Sequence, residues 1–104
     1  MGELIRFPTS KRSAGHVPLW REAVGEQLRL ERRRQGRLLR ELAEASGISQ
    51  QYLSEIERGL KDPSSEMLQA HAEVLDLTLG QLTSRASRSV QRAESASGPQ
   101  LRVA

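Results

Sequence analysis

The chain has 104 residues, of which 37% are hydrophobic and 3% aromatic, and it contains no cysteine. This length favours a single domain with a small aliphatic core, and the lack of cysteine excludes a disulfide framework or a thiolate site. No apolar run approaches the ~20 residues that span a bilayer, and the polar N-terminus lacks the apolar stretch of a signal peptide. We therefore expect a cytoplasmic protein with no membrane partner.

Residues 1–18 are predicted to form a disordered basic arm. Proline, glycine and serine punctuate this stretch, and no hydrophobic periodicity survives in it. Lys11 and Arg12 make the arm basic, so it could touch a groove or the backbone of DNA, as some N-terminal arms do. The alternative is a plain tail, and the sequence leaves both interpretations open.

The first helix is predicted over residues 19–35. Trp20, Val24 and Leu28 recur at a spacing of four residues, which predicts a stripe that faces the core. The end of this helix opens a basic block over residues 29–40 that holds one acid and these arginines: Arg29, Arg32, Arg33, Arg34, Arg37 and Arg40. Such a block is typical of a surface that binds phosphate groups, although a solvated helix face is the alternative.

Residues 38–45 and 49–58 are predicted to be two short helices joined by a tight turn. Gly47 can adopt the positive φ that a sharp turn requires, and Ser49 is a strong candidate for the N-cap of the second helix. Apolar residues return within that helix at helical spacing, namely Leu53 and Ile56. The pattern predicts a helix-turn-helix, whose second helix enters the major groove of DNA.

A fourth helix is predicted over residues 66–75, with Ser64 or Ser65 as its cap, and a fifth begins near residue 78. His71 on the fourth helix is expected to be partly buried with a local hydrogen bond, since its alternative role as a pH sensor has little support.

The fifth helix, with a possible extension over residues 85–94, carries a weak apolar stripe formed by Leu79, Leu82, Ala86 and Val90. The stripe looks too thin to pack a monomer core alone. It could pair with a second copy of the chain, or the helix could fray into a flexible tail over residues 95–104.

The helix-turn-helix resembles the Cro/lambda-repressor-like family, also called the xenobiotic-response-element type. The resemblance rests on Ala43, Gly47, Leu53 and the ending Ile56-Glu57-Arg58-Gly59, and it departs at Leu38-Leu39, where the family often has Thr-Gln. It implies an all-α, five-helix DNA-binding domain over residues 19–84. It also implies an ion pair between the first and third helices, formed by Arg32 and Glu57.

A narrower resemblance, to actinobacterial Clp-gene regulators, rests on the strings 35–37, 39–41, 52–59 and 61–66. It implies an activator of protease genes, with RNA polymerase as a further partner. It also suggests that Val103 and Ala104 form a degradation signal for a Clp-type protease, with an inert terminus as the alternative. A repressor, or an antitoxin-like or bridging module that binds a protein, would carry the same domain.

The predicted DNA contacts of residues 49–58, and of the cations before and after them in the chain, follow from the chemistry of the exposed side chains. Base edges in the major groove present donors and acceptors, and the predicted readers are Gln50, Gln51, Ser54 and Glu55. Phosphates are met by cations, hydroxyls and helix N-termini, and the predicted contacts are Arg37, Arg40, Ser49, Tyr52, Arg58 and Lys61. Double-stranded DNA and a second copy of the chain are the expected partners.

No catalytic or metal site is predicted. The two histidines are far apart in the chain and no cysteine can assist them. Each carboxylate falls on a predicted helix face with arginine or lysine nearby, so ion pairs explain these groups without a catalytic dyad. We therefore expect no cofactor and no enzyme activity.

Overall fold

The computed structural model describes the backbone of residues 17–103 and the side chains of residues 17–96. Within these residues the fold consists of five helices and no strand: α1 (Trp20–Arg34), α2 (Leu39–Ser46), α3 (Gln50–Glu57), α4 (Ser65–Glu73) and α5 (Leu79–Val103). The predicted all-α, five-helix architecture is confirmed. Most of the predicted basic arm, residues 1–16 with Lys11 and Arg12, lies outside the described residues.

The starts of the helices are fixed by polar side chains. Ser49 Oγ and Ser64 Oγ each accept a hydrogen bond from the backbone N–H three residues on, at 3.0 and 3.2 Å, and so begin α3 and α4. A hydroxyl cap satisfies one of the N–H groups that a helix start leaves unpaired. At the starts of α1 and α2, the carboxylates of Glu22 and Glu41 instead accept the backbone N–H of the preceding cap residue, at 2.8 and 2.9 Å.

The turn between α2 and α3 is the one that the sequence predicts. Gly47 has a φ of 78°, and its N–H donates to the carbonyl of Ala43 at 3.0 Å, which closes α2. Ile48 follows and is buried in the core. The two short helices therefore leave the turn with their apolar faces toward the same interior.

The core lies where α1, the helix-turn-helix, α4 and the first half of α5 meet. Its fully or nearly fully buried apolar side chains are Ala23, Val24, Leu28, Leu42, Ile48, Leu53, Ile56, Ala72, Leu75, Leu77, Leu82 and Ala86. Trp20 is not among them, contrary to prediction, because 46% of its surface is exposed. Each step of four residues rotates a side chain by about 40° around a helix, so Trp20 lies about 80° from Leu28 and at the edge of the buried face.

The backbones of α1 and α3 touch at Gly25. A Cβ atom at this position would lie 2.1 Å from the carbonyl oxygen of Ile56 and 2.8 Å from that of Glu57. A side chain would therefore force the helices apart. This glycine holds the end of α3 against α1, and so helps to set the direction of the recognition helix.

The prediction that the apolar stripe of α5 could pair with a second copy of the chain is wrong for two of the four stripe residues. Leu82 and Ala86 are fully buried within one chain, since α5 lies against α1 and α4. Leu79 and Val90 are partly buried and pack on the same core. The stripe is covered by α1 and α4 of the same chain, which the sequence pattern alone does not reveal.

The backbone of α5 is helical through residues 85–103, so the predicted extension belongs to α5 and the predicted flexible tail is helical as far as Val103. An existing helix lengthens without a second nucleation cost. The side chain of Val103 and the whole of Ala104 lie outside the described residues, as does the degradation signal predicted there. None of the helices within residues 17–103 combines the length and the apolar character needed to cross a bilayer.

Candidate nucleic-acid interface

Helix α3 divides its side chains between the core and the surface. Leu53 and Ile56 are buried, whereas Gln50 and Gln51 are exposed at the N-terminal turn. Ser54 and Glu55, the other two predicted base readers, are half-buried. The structure thus places all four predicted readers on one short helix, with the two amides the more open to a groove.

The first turn of α3 carries a hydroxyl and a phenol. Ser49 is exposed, and its oxygen is occupied as the helix cap, so its O–H remains as a donor toward an anion. Tyr52 is half-buried, and its ring packs against the core. Of the two places predicted for Tyr52, a phosphate or the core, the free structure shows packing on the core.

Three of the six arginines in the basic block are paired with acids of the protein itself. Arg29 pairs with Glu26 at 2.8 Å, Arg32 pairs with Glu57, and Arg34 pairs with Glu31. Two arginines of the block, Arg33 and Arg40, are exposed and make no side-chain hydrogen bond or ion pair within the described residues. More of these arginines therefore form ion pairs within the protein than the sequence suggests.

Arg37, one of the predicted phosphate contacts, is held by the fold. Its Nη1 donates to the carbonyl of Val74 at the end of α4, and its side chain is half-buried. The carbonyl of Arg37 in turn accepts from Arg32 Nη1 at 3.1 Å. A guanidinium near a helix C-terminus satisfies carbonyl groups that would otherwise lack partners. Arg37 thus joins α1, α2 and α4 and does not stand free on the surface.

The remaining predicted phosphate contacts are open to solvent. Arg40 on α2, Arg58 at the end of α3 and Lys61 in the following loop are all exposed. Arg58 Nε makes only a long contact, 3.4 Å, with the carbonyl of Ser54 one turn earlier. These cations flank the polar face of α3 in the chain, on both sides of the predicted base readers.

The predicted pair of Arg32 and Glu57 is present. Arg32 Nε donates to Glu57 Oε2 at 2.7 Å and Nη2 donates to Oε1 at 2.9 Å, a bidentate contact. Only 17% of the Arg32 side chain and 5% of that of Glu57 are exposed. The hydrogen bonds that Arg32 donates to Glu57 hold the pKa of Arg32 above its ordinary value. The pair fixes α3 to α1 just behind the recognition face.

A second buried carboxylate, Glu31, was not assigned a role from the sequence. It accepts from Arg34, from Gln35 at 2.8 Å and from Arg85 of α5 at 2.9 Å. Gln35 also donates to the carbonyl of Leu75 at 2.9 Å. The hydrogen bond from Arg34 is the main cause that lowers the pKa of Glu31 to about 2, against the opposing effect of burial. Helical spacing could have revealed Arg34 and Gln35, but not Arg85.

His71 is more deeply buried than predicted. None of its surface is exposed, and neither ring nitrogen has a hydrogen-bond partner among the described residues, so the predicted local hydrogen bond is absent. Burial lowers the pKa of His71 to about 4; the charge of Glu57 opposes this shift and that of Arg32 adds to it. The neutral imidazole acts here as a core side chain behind the ion pair of α1 and α3.

In the part of the chain that the structure describes, no group of three or more histidines, cysteines or carboxylates could hold a metal ion. What the site offers is a face of amides and hydroxyls on α3 with exposed cations at and after its C-terminal end and a further exposed cation, Arg40, on α2. This is an arrangement for contacts with a polyanion that displays hydrogen-bonding edges.

A family model for helix-turn-helix domains matches residues 28–82. The chain therefore belongs to this helix-turn-helix family, of the Cro type, and is a DNA-binding transcription regulator, as the sequence predicts. The match covers α2 and α3, where the predicted base and phosphate contacts lie.

The chain is similar to individual regulators of known name. It is 47% identical over 76 residues to the transcriptional regulator ClgR of Mycobacterium tuberculosis, which covers 73% of this chain and 68% of that protein. The crystal structure of the clp gene regulator ClgR from Corynebacterium glutamicum matches it with a TM-score of 0.72 and 42% identity, over 84% of this chain and 92% of that chain. The regulator SinR of Bacillus subtilis is 39% identical over 57 residues, 54% of this chain and 51% of that protein.

Proposed function

We propose that this protein activates the transcription of Clp-type protease genes by reading a DNA sequence with residues 49–58. The similarity to clp gene regulators, which extends over 84% of the chain in the structural comparison, carries the proposal. The exposed polar face of α3 supplies the chemistry, because a helix fits the major groove and base pairs present distinct donors and acceptors there.

Gln50 and Gln51 are the leading base readers. A glutamine amide can donate to N7 of adenine and accept from N6, and both amides are exposed on the turn that enters a groove most deeply. Ser54 is small enough to permit a close approach. Glu55 could accept from N4 of cytosine, and its charge would oppose phosphate, so it would act against wrong sites.

Phosphate contacts would come from groups that are free in the described structure. Ser49 can donate its hydroxyl at the N-terminus of α3, where the helix dipole also favours an anion. Arg58 and Lys61 are exposed cations at and after the C-terminal end of the recognition helix, and Arg40 is an exposed cation on α2. Contacts of this kind orient the protein and add affinity for any sequence, in a manner that salt weakens.

A dimer on a palindromic site would follow from the small footprint of one domain. Because Leu82 and Ala86 are buried within one chain, the second copy would have to meet surface that remains partly exposed, such as Val90 on α5. Half-sites should lie about one helical turn apart, ~10 base pairs, or a multiple of it. Sedimentation of the protein on duplexes with one and two half-sites tests this, and a single copy on the double site would contradict it.

The central experiment is a selection of bound duplexes from a random pool at a stated salt concentration. The proposal predicts an enriched palindromic sequence that recurs upstream of Clp protease genes. Transcription in vitro from such a promoter with RNA polymerase would then rise when the protein is added. Reduced transcription would identify a repressor instead, and binding without any sequence preference would contradict sequence-specific regulation.

A further inference from the structure

The two exposed glutamines of α3 differ in one respect. Gln51 Nε2 forms a long hydrogen bond to Glu55 Oε2, 3.4 Å, one helical turn away, and residues at this spacing are neighbours on a helix surface. Gln50 makes no side-chain hydrogen bond within the described residues. One amide is therefore tethered to a carboxylate, while the other is free to rotate.

The tether determines which end of the amide points away from Glu55. A carboxylate accepts from the NH₂ end of a glutamine and repels the carbonyl end. One N–H of Gln51 is used by Glu55, so the second N–H and the carbonyl oxygen remain for a ligand. These two groups form the donor and acceptor pair that N7 and N6 of adenine require. An untethered amide samples a broad, roughly two-fold torsion, and loses this freedom when it binds.

We propose that Glu55 is a positioning residue that orients the amide of Gln51 for one base pair, and that this role replaces the contact with cytosine that its carboxylate could otherwise make. The proposal rests on the proposed function, since it requires that α3 enters the major groove. Glu55 is half-buried and Gln51 is exposed, so the glutamine is the more open of the two to a base edge. The carboxylate would act through the amide that it holds.

The chain offers a matched control. On α4, Gln69 Nε2 donates to Glu73 Oε2 at 3.2 Å, with the same residue types at the same spacing. Both of these side chains are exposed, and neither lies on α3. Breaking this second pair removes a similar surface contact from a helix that the proposal keeps out of the groove.

The test compares base preference among Gln51→Ala, Glu55→Ala, the double variant, Glu55→Gln and the control Glu73→Ala. The wild-type optimum is first found by selection from random duplexes, and the affinity of each variant is then measured for every single-base change. Each affinity is divided by that variant's own affinity for a scrambled duplex, which removes the general gain expected from losing a negative charge. Thermal midpoints establish that each variant is folded.

We expect Gln51→Ala and Glu55→Ala to lose preference at the same base pair, by about tenfold for Gln51→Ala and by about twofold for Glu55→Ala, because a contact at this spacing on a helix surface is weak. The double variant should lose no more than Gln51→Ala alone. Glu55→Gln should keep part of the preference, because its carbonyl can still accept from Gln51, and Glu73→Ala should match the wild type.

Losses at two different base pairs that add in the double variant would overturn the inference, because Glu55 would then be a reader in its own right. An unchanged preference in Glu55→Ala, or in Gln51→Ala, would also overturn it, while sequence-specific binding itself would survive. Failure of the wild-type protein to prefer any sequence would instead remove the proposed function and the inference with it.

Discussion

Glu31 and Arg32 are neighbours on α1, yet they connect it to different helices through contacts of different kinds. Arg32 forms a bidentate pair with Glu57 of α3, in which the side chains are 17% and 5% exposed. Glu31 is equally buried at 5%, but its cationic partners Arg34 and Arg85 are 70% and 36% exposed. In the first contact both charges are largely removed from water, and in the second only the carboxylate is.

This difference shows that the number of buried charges does not predict how much each one contributes to the free energy of unfolding. When one member of a desolvated pair is removed, the other is left buried without a partner, which costs several kcal/mol. When Glu31 is removed, its arginines can turn to water, as in an exposed ion pair. The recognition helix should therefore depend on its link to α1 more strongly than α5 does.

The largest effect should follow from Glu57→Ala. Arg32 would lose its bidentate partner and keep the carbonyl of Arg37, so we expect the free energy of unfolding to fall by about 3 kcal/mol. Denaturant unfolding, followed by circular dichroism, measures it. The double change Arg32→Met with Glu57→Leu removes both charges and should recover much of the loss. An unchanged unfolding midpoint in Glu57→Ala would mean that the pair is solvated.

Lowering the pH should reduce the free energy of unfolding by a comparable amount through His71, whose pKa depends in part on the charges of Glu57 and Arg32. Its pKa falls from an ordinary 6.5 when unfolded to about 4 in the fold, so the unfolded chain binds a proton first. Stability is then full above the unfolded pKa and is lost as the pH falls toward the folded one, by about 3 kcal/mol in total.

The free energy of unfolding of the wild type should therefore decrease as the pH is lowered from 7 to 5. The variant His71→Leu, which has nothing to protonate at this position, should show a flatter profile over the same interval. This interval lies above the ordinary pKa of Glu31, 4.5, so that carboxylate adds little to the slope. Equal slopes in the two proteins would contradict the role given to His71.

A smaller loss is expected for Glu31→Ala, about 1–2 kcal/mol. Gln35 keeps its bond to the carbonyl of Leu75, and both arginines can be hydrated, so no buried group is left without a partner. The pKa of Glu31, lowered to about 2, implies a contribution of about 3 kcal/mol that is present above pH 4.5 and lost toward pH 2. Acid should therefore cost more than Glu31→Ala, because protonation leaves a neutral carboxyl group buried against two cations and alanine leaves none. If Glu31→Ala cost as much as Glu57→Ala, exposure of the partners would not explain the difference.

The two contacts also differ in how far the sequence could predict them. The pair of Arg32 and Glu57 follows from the resemblance to the Cro type, which implies an ion pair between the first and third helices. The approach of Arg85 to Glu31 depends on how α5 lies against α1, and no local pattern encodes that. The helix-turn-helix is encoded by a local pattern, so the sequence predicts it correctly. The helices that cover Leu82 and Ala86, and the carbonyl that Arg37 binds, are distant in the chain, so the sequence assigns the first two residues to a dimer and Arg37 to DNA. Helical periodicity identifies a face but does not name the helix that covers it.

The smallest effect should distinguish an arginine held by the fold from one that is free. Arg37 donates to the carbonyl of Val74, whereas Arg40 is exposed and has no side-chain partner within residues 17–96. Under the proposed function, Arg40→Ala should weaken binding to every duplex by about fivefold and lower the dependence of log affinity on log salt by about 0.9, the contribution of one phosphate contact. Arg37→Ala should instead lower the unfolding midpoint and leave the salt dependence unchanged once the protein is folded.

Fluorescence anisotropy on specific and scrambled duplexes at several salt concentrations measures the affinity and its dependence on salt. A loss of salt dependence in Arg37→Ala, with none in Arg40→Ala, would reverse the assignment and would mean that Arg37 leaves Val74 when DNA binds.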